Sequence, residues 1–195
     1  MTRWLRRSAL LVGAVALADC GTALIANVVT LPFWLDSWAT SLGVIVADLP
    51  VGIVGGVFYN LITSVIIWGP GAWIWSLASI LVACSTWFFL RLGWVDIERP
   101  FRLVAAGVST GIANACLAVT INALDLASTP FAGGEMRFDA ILAPDNISPT
   151  AAALIRRILI EVPDKTVSLI TAAALAVLFE HQLRDVARGT RDRAA

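Results

Sequence analysis

Apolar residues come in long blocks along this chain rather than alternating with polar ones. No charged residue falls between Leu49 and Leu90, between Leu103 and Leu124, or between Thr166 and Phe179. A helix needs about 20 apolar residues to cross the core of a bilayer, so the first block alone holds two spans. Gly69-Pro70-Gly71 divides it, because these residues make a turn and cannot continue a helix. The blocks in order predict six helical spans at 8–30, 39–49, 50–68, 72–92, 103–124 and 151–180. Strict period-two alternation is missing, which favours helices over a membrane barrel. The second span is the shortest and contains Asp48, so it is expected to be tilted or re-entrant. Between the first two lies LPFWLDSW (31–38), whose Pro and Trp residues suit an interfacial belt. Residues 125–150 form the longest loop and 181–195 a tail.

The first block follows Arg3, Arg6 and Arg7 and could be mistaken for a secretion signal. Asp19 stands where a lipoprotein cleavage site needs a small residue, and the apolar run continues to about Leu31. It is therefore read as an uncleaved first span.

Composition agrees with the pattern. Of the 195 residues, 58% are hydrophobic and 14% charged, where soluble domains carry roughly a quarter charged. The expectation is an all-α integral membrane protein, one membrane domain over 1–195, built as a six-transmembrane-helix bundle. Arginine is distributed unevenly. Six spans put Arg3, Arg6, Arg7, Arg91, Arg99, Arg102, Arg184, Arg188, Arg191 and Arg193 on one side. The other side receives Arg137, with Arg156 and Arg157 at the mouth of the last span. The positive-inside rule makes the first side, and with it both termini, cytoplasmic.

Candidate chemistry is sparse. HExxH, GxSxG and the Walker lysine loop are all missing, and a single histidine, His181, lies just past the last span. The three cysteines, Cys20, Cys84 and Cys116, lie in apolar segments without metal-ligand spacing. No enzymatic activity, cofactor, metal or nucleic-acid partner is expected. The sixth span is different. On a helix, residues three or four apart share a face, which puts Arg157, Glu161, Lys165 and Ser168 in one stripe with Asp164 beside it. Glu161 precedes Lys165 by one turn, the favourable orientation for an ion pair. Pro163 lacks an N–H for the Leu159 carbonyl, so a kink is expected there.

Other polar groups gather at the same outer end: Asn27 and Thr30 on the first span, Trp73 and Trp75 on the fourth, and Asn114, Asn122 and Asp125 on the fifth. With Arg156, Arg157 and Glu161 they either satisfy one another or line a small-molecule pocket. The two arginines either bind an anionic group or anchor the interface by snorkelling. Small residues recur four apart at Ala9 and Gly13, Ala14 and Ala18, and Gly52 and Gly56. Such pairs serve helix packing within the bundle or a docking face for another membrane protein.

The chain resembles the substrate-binding S component of an energy-coupling factor (ECF) transporter over nearly its whole length. The likeness rests on size, six spans, Ala14-Val-Ala-Leu-Ala18, the Gly-rich VGIVGGVFYNLI (51–62) and Glu161-Val-Pro-Asp-Lys165, which is similar to a Glu-x-Pro-Asp-Lys stretch of several S components. The resemblance implies uptake of a small water-soluble micronutrient through an outward-facing pocket. It implies docking on a transmembrane coupling protein driven by a cytoplasmic ATPase pair. The pocket then maps to Asn114, Asn122, Arg156, Arg157 and Glu161, with Trp73 and Trp75 stacking, and the lid to 131–136. Docking maps to Ala14 and Ala18. The N-terminal histidine of metal-specific members is missing, so nickel and cobalt are not expected. The other readings are a membrane sensor or assembly factor without transport, and a membrane enzyme using Glu161 and Asp164 as acid and base, for which nothing in the sequence orients them.

Overall fold

The computed structural model describes residues 3–29, 31, 33–124 and 148–192, with the side chains of 3–7 and 181–192 outside the description. The lid expected at 131–136, Asp125, Thr30 and the side chain of His181 therefore lie outside the described residues. Among the described residues there are six helices: α1 (Arg3–Val29), α2 (Trp38–Val46), α3 (Leu49–Thr63), α4 (Ser76–Arg91), α5 (Pro100–Ala123) and α6 (Pro149–Asp192). A π-helical turn, Ser64–Trp68, extends α3, and a 3-10 helix, Pro70–Trp75, leads into α4. Gly69 joins them with φ +89°, a conformation that side chains resist and glycine accepts.

Among the described residues, five helical stretches are long and apolar enough to cross a membrane: Ser8–Val29, Leu49–Trp68, Pro70–Arg91, Pro100–Ala123 and Pro149–Glu180. The chain is thus an all-helical protein with the makeup of a multi-pass membrane protein. Where the second span is expected, at 39–49, the structure has a short helix that is not among these five. α2 has nine residues, which at 1.5 Å per residue reaches about 14 Å, half the thickness of a bilayer core. Asp48 belongs to the next helix. It caps α3 in an extended conformation, its Oδ1 accepting the Leu49 N–H at 2.7 Å, and Pro50 follows at the second helical position, where its missing N–H costs nothing.

Contacts between the helices fix their directions. Val15 meets Gly55 and Cys20 meets Tyr59, so α1 and α3 run parallel. The chain must therefore return between them, and the connection 31–37 with α2 does so: Gly43 lies against Val15 and Thr40 against Asp19. Ser79 lies against Gly56 and Asn60, which sets α4 against α3. Gly107 lies against Thr166 and Gly111 against Val162, which sets α6 antiparallel to α5.

The core consists largely of small residues, among them fully buried Ala23, Ala83, Ala106, Ala115 and Ala172. In lipid, close backbone approach rather than exclusion of water drives such packing. The tightest approach is between α5 and α6. A methyl group at Gly111 would lie 2.5 Å from Val162 Cα, and one at Gly107 2.6 Å from Thr166 Cα. Both contacts flank Pro163, where the α6 ladder already lacks one backbone hydrogen bond.

Candidate functional site: a buried charge network on α6

Lys165 stands at the midpoint of the 149–180 stretch and is 5% exposed. An ammonium at that depth needs compensation, because insertion of an unpaired charge there costs roughly 3 kcal/mol or more. An ammonium carries three N–H donors; Asp164 and Asp36 accept from it, and Glu161 adds a third carboxylate at ion-pair distance. Lys165 Nζ lies 2.6 Å from Asp164 Oδ2, 3.2 Å from Asp36 Oδ1 and 3.6 Å from Glu161 Oε2. Glu161 and Asp164 come from α6 itself and Asp36 from the connection before α2.

The network extends both ways along α6. Toward its N-terminus, Glu161 Oε1 pairs with Arg157 Nη1 at 3.7 Å, and Asn114 on α5 donates Nδ2–H to Glu161 Oε2 at 2.8 Å. The Arg157 guanidinium lies over the Trp75 ring, 5.4 Å from its centroid, a cation–π distance. Arg157 and Glu161 are each 4% exposed. The amide carbonyl of Asn114 is buried with no hydrogen-bond partner among the described residues. Toward α2, Asp164 Oδ1 accepts the Leu35 N–H at 2.7 Å, and Tyr59 on α3 donates its O–H to Asp36 Oδ2 at 2.8 Å.

A second polar centre stands beside the first. Fully buried Asp19 on α1 accepts from Ala39 N–H and Thr40 N–H, both at 3.0 Å, and from the Thr40 hydroxyl at 2.7 Å. It thereby takes up the amides that the start of a helix leaves unpaired. Asp164 thus holds an amide just before Asp36 and Asp19 two amides after it, where α2 begins.

The expected site residues divide clearly. Arg157, Glu161, Asn114 and Trp75 come together, and the stripe of Arg157, Glu161 and Lys165 is a chain of ion pairs. Arg156 is half-buried on the adjacent side of α6. Trp73 is 54% exposed and Asn27 faces outward from α1, so neither reaches the network. Asn122 is half-buried two turns beyond Asn114. Of the small residues, Gly52 and Gly56 are buried against Thr40 and Ser79. They pack the bundle, the first of the two readings their spacing allows. Ala14 is exposed and Ala18 half-buried.

Asp36 and Tyr59 of the network, and Asp19 of the second centre, had no role in the sequence-based site. For the two aspartates the available signal was an isolated carboxylate inside or beside an apolar block; for Tyr59 no local pattern gave one. Comparison with known proteins returns no family model, no curated relative and no solved structure that matches this chain.

Proposed function

We propose that the chain is the substrate-binding membrane subunit of an ECF-type uptake system. It takes a small water-soluble micronutrient from outside the cell membrane and docks on a separate transmembrane coupling protein with its ATPase pair. In this reading the 31–46 segment completes six crossings, both termini are cytoplasmic, and Arg157 opens toward the outer face.

One observation carries the reading. The string Glu161-Val-Pro-Asp-Lys165, on which the resemblance rests, supplies three of the charges in the buried network. That network ends on a residue set suited to a polar ligand: Arg157, Glu161, the unpartnered Asn114 carbonyl and the Trp75 ring. Charged groups inside a membrane bundle are costly and mark functional sites more often than structural ones. Ala14 and Ala18 would form the docking face, with Asn122 and Arg156 bordering the ligand.

The test is a thermal-shift screen of the purified protein against water-soluble vitamins, followed by titration calorimetry of any hit. A 1:1 complex that weakens at least about tenfold in Arg157→Ala and in Asn114→Ala is expected, from the loss of a buried charge or hydrogen bond to the ligand. A hit whose affinity neither change alters would remove these residues from the site.

A further inference from the structure

The connection between α1 and α2 is held where it should not rest unaided. Leu35 adopts φ +48°, the left-handed region that a bulky residue avoids. Strained backbone of this kind persists only where its surroundings over-determine it. Here the surroundings are electrostatic: the Leu35 N–H is on Asp164, and the neighbouring Asp36 carboxylate is on Lys165 and Tyr59. Trp34 adds an edge-to-face contact with Trp68 at 5.1 Å. Lys165 is the common element, and its third carboxylate partner, Glu161, is shared with Arg157.

We propose that Trp34–Ser37 is a latch, and that Arg157 controls its grip through Glu161 and Lys165. The acceptors of one ammonium compete, and in a low-dielectric interior that competition is strong. While Arg157 occupies Glu161, Lys165 is left to Asp36 and Asp164 and the latch is held. An anionic group that takes Arg157 frees Glu161 to draw on Lys165. The hold on Asp36 then weakens, the strain at Leu35 is released, and α2 is untied from α6. The natural trigger rests on the reading of Arg157 as a ligand contact. The latch itself does not, since substitutions can stand in for the ligand.

Hydrogen exchange of the full-length protein in nanodiscs, with no ligand added, tests the coupling. The peptide covering Leu35 to Thr40 reports the latch directly through amides bonded to Asp164 and Asp19, because exchange tracks local opening. Arg157→Gln is expected to speed exchange there about threefold or more, a coupling of ordinary size for neighbouring charges. Glu161→Gln, which removes the competing acceptor, is expected to slow it by a similar factor of about three. A purely structural pair would move both variants the same way. Acceleration in both, or no change in either, overturns the latch. A peptide from α4 serves as the control. If a glutamine variant exchanges fast throughout, Arg157→Lys and Glu161→Asp replace the pair, with the same opposed signs expected and the same outcomes overturning it. Failure of the vitamin screen together with opposed exchange would leave the latch standing and sink only the ligand reading.

Discussion

Lys165 is tolerated in the middle of an apolar bundle because its neighbours were placed to receive it. Removing one member of a buried pair leaves an uncompensated charge, which costs about 3–5 kcal/mol. Lys165→Met would leave Asp36, Asp164 and Glu161 facing one another. It should abolish a cooperative thermal transition in detergent, whereas Tyr59→Phe removes one hydrogen bond to a carboxylate and should cost only about 1.5–3 kcal/mol. Similar melting of the two variants would mean that Lys165 is not the hub. Asp19 offers a second contrast. Asp19→Ala strands three buried donors, while Asp19→Asn keeps an acceptor, so the alanine variant should be the less stable by about 1–3 kcal/mol. The α6 part of this chemistry is legible in the sequence, because Glu161 and Lys165 are one helical turn apart. The Asp36 part is not. It joins Lys165 across 129 positions, and no local pattern separates a buried network aspartate from a loop aspartate.

At the scale of elements, the blocks of apolar residues and the Gly69-Pro70-Gly71 break can be read directly, and five long helical stretches follow them. α2 departs from that pattern because tertiary hydrogen bonds set its limits. Asp19 takes its first amides, Asp164 takes the Leu35 N–H before it, and Asp48 with Pro50 begins the next helix. Hydropathy carries no trace of any of these. Small-residue spacing misleads in a related way: Gly52 and Gly56 are spaced like Ala9 and Gly13, yet the first pair is enclosed and the second is exposed. Gly111→Ala and Gly107→Ala push into the α6 backbone, and each should destabilise by about 1–3 kcal/mol. Gly13→Ala meets nothing within 4 Å and should leave the melting temperature unchanged. If α1 is the docking face, Gly13→Leu or Ala14→Leu should instead reduce co-purification of the coupling protein without altering the melt.

For the whole molecule, the proposed topology of six crossings with both termini cytoplasmic makes a prediction that labelling can check. On that topology, labelling single cysteines with a membrane-impermeant maleimide in intact cells should mark residue 71, before α4, and spare residue 96, between α4 and α5. The reverse pattern would invert the topology. The central claim is that a buried charge network on α6 ends in a binding site for a small water-soluble molecule. The most direct measurement is native mass spectrometry of the gently purified protein, with extraction and identification of whatever travels with it. A stoichiometric micronutrient-like compound, retained by the parent protein and lost in Arg157→Ala, is the predicted result. A protein that is empty as isolated, and that no vitamin stabilises, would contradict it, and the partner proteins recovered with it would then point to a sensor or assembly role.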